Sequence, residues 1–263
     1  MRRGISQEGL KLIACFTMLI DHIGYEIVYP FYTGISAASA ADMPEVRLLY
    51  KAYLLCRCIG RIAFPIFAFL LVEGVHHTRN RKKYALRLAK AALLAEIPYN
   101  LIVEGGISCG KQSVMVTLLL GFLAVHYMGK SSSLAWKPVI ALPFAVLAEV
   151  LRADYGWCGV VLIVLFELSR EMYAPNLVRT GGMIVLFHSV SSRIIWLGNF
   201  SLPTQVLGAL SMLFFWNYSG RKQTTSKAVQ WGFYLFYPVH MLILWAIGTM
   251  IPDLILLGIS VAV

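Results

Sequence analysis

The feature that most constrains this chain is a succession of apolar stretches near the ~20 residues that cross a bilayer, rich in Leu, Ile, Val, Phe and Ala. Apolar runs and helix breakers divide it into nine candidate spans, at about 10–31, 52–75, 86–104, 113–129, 135–151, 156–173, 180–197, 203–217 and 231–250. Composition agrees with lipid as the solvent. Only 14% of the 263 residues are charged, against roughly a quarter in soluble domains. The fold class expected is all-α, a polytopic membrane bundle of about nine transmembrane helices forming a single domain over 1–263. The 33–50 segment reads as the longest outer loop, and the tail from Asp253 as a terminal half-helix. Asp21 and His22 interrupt the first span and no small-residue cleavage site follows cleanly, so it does not read as a cleavable signal peptide.

The formal charge of +10 is spread over several short loops, which excludes the single basic face or arm of a nucleic-acid binder. It reports orientation instead. Arg2, Arg3 and Lys11 precede the first span, and Arg79, Arg81, Lys82, Lys83, Arg87 and Lys90 follow the second. Lys130, Lys137, Arg170, Arg179, Arg221, Lys222 and Lys227 fall on the same side, whereas the opposite loops hold Arg47, Lys51, Lys111 and Arg152. By the positive-inside rule the N-terminus lies in the cytoplasm and the chain is a multi-pass protein of the cytoplasmic membrane, with lipid as its surroundings. The five cysteines sit mostly in apolar runs and suggest no disulfide framework; Cys56 and Cys58 would point about 200° apart on a helix and share no metal. Gly105 to Lys111 fits G-x4-G-K, but Gln112 follows where a phosphate loop needs Ser or Thr, and the loop faces outward.

Ionisable groups at a helix centre cost about +2.5 to +3.5 kcal/mol each on insertion scales and so mark function. This chain places Asp21, His22, Arg57, Arg61, Glu73, Glu96, Glu149, Glu167, His188 and His240 within its spans. At ~1.5 Å per residue, Asp21 and Arg61 lie roughly 16–21 Å from the cytoplasmic end, and Glu96, His188 and His240 roughly 12–14 Å. Several helices thus direct polar groups to one stratum, as expected of a hydrated cavity open toward the cytoplasm. Arg57 and Arg61 share a helix face and suit a phosphate or a developing oxyanion; Pro65 beyond them should loosen the helix. The plainer alternative is that Arg61 neutralises Asp21. His22 has Glu26 four residues on as a candidate orienter, and an imidazole is the usual general base near neutral pH. Glu96-Ile97-Pro98-Tyr99-Asn100 reads as a mid-membrane break with Glu96 and Asn100 on one face. Asp154-Tyr155-Gly156-Trp157 reads as an outer cap in which Asp154 N-caps the sixth span. Tyr234, Tyr237 and His240 form a stripe toward the bundle. No HExxH, GxSxG or CxxC pair supports a zinc protease or serine hydrolase, and no metal is required.

Together Asp21-His22-Ile23-Gly24, the stretch from Arg57 to Tyr84, Glu96 to Asn100, Asp154-Tyr155-Gly156 and Phe236-Tyr237-Pro238-Val239-His240 resemble the TraX family over nearly the whole chain. Departures fall at Ser113 and at Trp216 to Gly220. The resemblance implies a membrane-embedded transferase that moves an acetyl group from cytoplasmic acetyl-CoA to an amine or hydroxyl, on a pilin-like peptide N-terminus or a small molecule. It implies that Arg57, Arg61, Arg79, Arg81, Lys82 and Lys83 engage the donor, that His22 or His240 is the base, and that Arg57 or Arg61 meets the oxyanion. Asp21, Glu96 and Asn100 would fix the network, with Glu73, Asp154, Tyr155, Tyr237 and His188 toward the acceptor. A proton- or ion-coupled transporter is the rival reading of the same buried groups, although no paired inverted repeat is visible.

Overall fold

The computed structural model describes residues 4–38, 43–107, 110–190, 194–197, 200–221 and 226–255; Arg2, Arg3, Asp42, Cys109, Lys222 and the last eight residues of the tail lie outside them. Ser6 starts the first helix, its Oγ accepting the Gly9 N–H at 3.1 Å. From there α1 (Gln7–Ile23), a π-helical turn (Gly24–Val28) and α2 (Tyr29–Ala38) form one helical run. A second run comprises α3 (Pro44–Gly60), begun by a proline whose missing N–H costs nothing at that position, and α4 (Ala63–His77). The expected 33–50 outer loop is therefore mostly helix, since α2 continues to Ala38 and α3 starts at Pro44. The break between α3 and α4 falls at Arg61 and Ile62, four residues before Pro65. Proline supplies no N–H for the Arg61 carbonyl and its ring crowds that carbonyl, so the helix parts there.

Asn80 caps α5 (Arg81–Val103) by accepting the Lys83 N–H at 2.9 Å. This helix runs unbroken through Pro98, so the expected mid-membrane break at Glu96 to Asn100 is not formed. Next come α6 (Val114–Met128), α7 (Trp136–Val150) and α8 (Gly156–Leu168). They pack through small residues, with Ile163 seated over Gly121, and Ala141, Ala145 and Ala148 buried along one face of α7.

The expected span at 180–197 is replaced by α9 (Pro175–Val190) and an antiparallel hairpin of β1 (Ile194–Leu197) and β2 (Phe200–Pro203). Ile194 pairs with Pro203 and Leu197 with Phe200, leaving two connecting residues. The sequence there is Gly198-Asn199, a hairpin turn signal that an apolar-run reading passes over. The expected span at 203–217 is a 3-10 helix (Thr204–Ser211) leading into the short α10 (Met212–Trp216). Finally α11 (Lys227–Gly248) is capped by Ser226, and helical residues 251–255 follow, where Ile255 packs on Gly34 of α2. That agrees with the half-helix expected of the tail, for the part described.

Three helical runs, Gln7–Ala37, Pro44–His77 and Ala228–Ile255, are long and apolar enough to cross a membrane; Val114–Met128, Gly156–Leu168 and Thr204–Trp216 are shorter apolar helices. The exterior is apolar too. Leu93, Val150, Leu177 and Val185 are each more than 70% exposed, a surface that only lipid or protein would cover. Ile5 bonds Asn217 and Ser219 through its backbone, placing the N-terminus beside the segment after α10. At the other end Gln112 is bridged to Arg152 and Asp154, joining the loops before α6 and α8.

Candidate functional site

The α3–α4 break sets the floor of the site. Asp21, in the last turn of α1, meets both arginines of the second run: Arg57 Nη1 donates to Oδ2 at 2.8 Å, and Arg61 Nη2 to Oδ1 at 3.1 Å and Oδ2 at 3.2 Å. The approach depends on Gly60. A Cβ there would stand 2.2 Å from Asp21 Oδ1, so only glycine lets α1 bring its carboxylate this close. Arg61 is held further by Nε to the Arg57 carbonyl at 3.0 Å and by Nη1 to Gln205 Oε1 at 2.9 Å. Among the described residues, Asp21 is the one carboxylate in ion-pair contact with these two guanidinium groups, so the cluster holds more positive than negative charge at contact distance. Neutralising Asp21 would need one arginine, and here two engage it.

His22, next to Asp21 on α1, points to a different partner. Its Nδ1 lies 2.7 Å from His240 Nε2 of α11, with the rings nearly parallel and their centroids 5.0 Å apart. His240 Nδ1 in turn is bonded to the Phe236 carbonyl. A carbonyl only accepts, so His240 carries its proton on Nδ1, its Nε2 accepts, and His22 donates from Nδ1. That assignment leaves the His22 Nε2 lone pair open. His22 faces the cavity while His240, 6% exposed, stands behind it. The expected orienter Glu26 does not serve: the π-helical turn after Ile23 displaces the i+4 position, and Glu26 lies against Gly248 instead.

These groups open into a cavity of about 1190 Å³. Asp21, His22, Arg57, Arg61, Asp154, Tyr155 and Tyr237 line it. Tyr155 stacks on Phe64 with centroids 3.8 Å apart. It occupies the N-cap of α8 with φ 64°, and the Asp154 carboxylate accepts the Tyr155 N–H at 3.1 Å, so Asp154 shapes the turn without capping the helix as expected. At the end where α1 and α5 begin, the lining includes Lys11, Arg79 and Arg87; Arg81, Lys82 and Lys83 lie on the first turn of α5 outside it.

Four expected site residues stand elsewhere. Glu96 Oε1 accepts the Ser113 N–H at 3.0 Å and its hydroxyl at 2.7 Å, bracing the start of α6. The unbroken α5 begins at Arg81, so Glu96 lies farther along the helix than a start at 86 implied. Asn100 is buried outside the cavity lining. Glu73 pairs with Arg170, while Glu167 pairs with His76 at 2.8 Å, tying α4 to α8 at their C-terminal ends. His188 is exposed on α9 outside the cavity, so the shared stratum is narrower than depth counting suggested. The sequence reading missed Gln205, which the 3-10 helix delivers to Arg61; its signal is a polar Thr-Gln pair directly after Pro203 in an apolar run. Gly208 makes that contact possible, since a Cβ there would crowd the Arg61 carbonyl at 3.0 Å.

Comparison with known proteins follows this geometry. The TraX protein family matches residues 6–248. A similar relative is the probable fimbrial assembly protein FimC, serogroup H1, of Dichelobacter nodosus, 30% identical over 237 residues and covering 81% of this chain and 93% of the relative. No solved structure matches.

Proposed function

The chain belongs to the TraX family, and from that premise we propose that it is a multi-pass protein of the cytoplasmic membrane that transfers an acetyl group from cytoplasmic acetyl-CoA to an amine or hydroxyl. The observation that carries the reading is the open His22 Nε2, facing the same cavity as an arginine pair with surplus positive charge. A base and an oxyanion-binding cation side by side are what acyl transfer needs. The cavity exceeds the ~300–1,000 Å³ of ordinary ligand sites, room for a long thioester arm, and Lys11, Arg79 and Arg87 at its mouth suit the donor's phosphates.

In this mechanism His22 Nε2 accepts the proton of the acceptor N–H or O–H as that atom bonds to the thioester carbonyl carbon. Charge gathering on the carbonyl oxygen is met by Arg57, whose Nε and Nη2 have no hydrogen-bond partner among the described residues, whereas Arg61 is held by Asp21, Gln205 and the Arg57 carbonyl. The C–S bond then breaks, and the departing thiolate recovers the proton from His22. His240 Nε2 accepts from His22 Nδ1 throughout, fixing the ring and sharing the imidazolium charge. Asp21 fixes both arginines. The relative named for fimbrial assembly favours a pilin-like peptide N-terminus as acceptor. Purified protein in lipid nanodiscs, given labelled acetyl-CoA with amine and alcohol acceptors including such a peptide, tests the proposal. Consumption of acetyl-CoA with a labelled product is expected; neither binding nor consumption with any acceptor overturns it.

A further inference from the structure

We infer that a small pocket between the C-terminal end of α4 and the start of α9 holds the phosphate of an anionic membrane phospholipid, gripped by Arg170, Arg179 and Tyr218. This pocket shares no lining residue with the large cavity, and its occupant does not depend on the acetyl-transfer reading. It encloses about 270 Å³. That is just under the ~300–1,000 Å³ of sites that take a whole small molecule, and suits a headgroup.

The lining offers donors in excess of acceptors. Arg179, on the second turn of α9, is only 8% exposed. Its Nε donates to Ser169 Oγ at 2.9 Å and its Nη1 to Asn176 Oδ1 at 3.3 Å, while Nη2 has no partner among the described residues. Arg170 gives Nη1 to Glu73, which leaves its Nε and Nη2 without a partner among the same residues. The Tyr218 hydroxyl also bonds none of them. Glu73 is the one carboxylate in the lining, so two guanidinium groups face a single negative charge. Glu8 also acts on Tyr218 electrostatically, but from outside the lining. Surplus positive charge and unmade hydrogen bonds in a largely buried pocket are offset when an anion with several acceptor oxygens enters, and a phosphate has them.

The walls hold these donors in place. Phe69 and Phe215 stack with centroids 4.4 Å apart, and the Arg179 guanidinium lies over the Phe69 ring, 5.4 Å from its centroid. Tyr218 meets Phe69 edge-on at 5.3 Å. The backbone around Tyr218 is tied to the N-terminal segment, the Ile5 N–H donating to the Asn217 carbonyl at 2.7 Å and the Ser219 N–H to the Ile5 carbonyl at 2.9 Å. What surrounds the pocket selects a lipid over a phosphate free in water. Tyr173 and Leu177 flank Pro175 along the chain, Leu213 and Trp216 flank Phe215, and all four are exposed. Val185 continues the exposed apolar surface along α9. Acyl chains would cover that surface, the two aromatics suit the headgroup level, and a basic pocket between helices is how membrane proteins hold anionic headgroups.

The test is native mass spectrometry of the full chain released from neutral detergent, titrated with palmitoyl-oleoyl phosphatidylglycerol, with the phosphatidylcholine of the same chains, and with inorganic phosphate. One phosphatidylglycerol should bind about tenfold more tightly than phosphatidylcholine, the worth of one charge-assisted hydrogen bond, and an excess of inorganic phosphate should not displace it. Arg179→Gln should remove most of that preference. Tyr218→Phe, which breaks no hydrogen bond among the described residues, should weaken it a few-fold and serves if Arg179→Gln fails to fold. Glu73→Gln should tighten binding, because it raises the surplus charge; an arginine with a purely structural role would not produce that gain. If phosphatidylglycerol is not preferred, or is preferred equally by the wild type, Tyr218→Phe and Glu73→Gln, the inference falls. If inorganic phosphate displaces phosphatidylglycerol at equal concentration, the pocket is a site for free phosphate and the lipid assignment is overturned.

Discussion

Replacing Gly60 with alanine probes the site through one methyl group. The added Cβ would sit 2.2 Å from Asp21 Oδ1 and 2.3 Å from its Cβ and Cγ, where ordinary contact begins at 3.4 Å. Asp21 must withdraw by about 1.2 Å, which stretches its 2.8 Å bond to Arg57 to roughly 4 Å, beyond hydrogen bonding. Breaking a buried ion pair by displacing one partner costs about 3–5 kcal/mol, and overpacking by itself about 1–3 kcal/mol. Some relaxation of α1 against α3 overlaps the two, so a net loss of about 3–5 kcal/mol is expected. At ~2–4 °C per kcal/mol for a chain of this size, the unfolding midpoint should fall by about 10 °C. The assay is thermal unfolding in nanodiscs followed by tryptophan fluorescence, alongside Gly232→Ala, where nothing lies within 4 Å of the new Cβ and no loss is expected. If Gly60→Ala melts within a degree or two of Gly232→Ala, the close seating of Asp21 under α3 is refuted.

Under the acetyl-transfer reading, His22→Gln should slow transfer by about 10²–10⁴-fold while donor binding persists in calorimetry. His240→Gln should slow it less, because it removes the proton partner and leaves the base; equal losses would reverse the assignment of the open nitrogen. Reversing the charges of Arg79 and Arg87 should weaken acetyl-CoA binding in a salt-dependent way without loss of folding, since exposed charges are screened over ~10 Å at 0.1 M salt. Reversal of Arg81 and Lys82, outside the cavity lining, should weaken it less, and a titration that ranks the pairs the other way would displace the mouth. Glu96→Ala should lower stability by about 1–3 kcal/mol through the orphaned Ser113 donors, whereas Glu96→Gln should keep both stability and transfer. A transfer defect in Glu96→Gln at full stability would return Glu96 to the reacting centre.

The sequence by itself determined the solvent and the class of fold, because apolar runs in lipid leave helices as the way to satisfy backbone polar groups. It also identified most of the floor. Asp21, His22, Arg57 and Arg61 were legible because an ionisable group inside an apolar run is costly, and Pro65 announced a break through a missing N–H that acts locally. Whether such a group faces the cavity or a neighbouring helix is not a local property. Glu96 and Glu73 carry the same signal as Asp21, yet one braces Ser113 and the other pairs with Arg170. Only the tertiary structure decided that His22 meets His240, 218 positions away, and not Glu26, because a π-helical turn and the packing of α11 against α1 set that angle. The arrival of Gln205 was likewise settled by packing: glycines at 60 and 208 let backbones approach, and what then comes into contact depends on which helices lie across the gap.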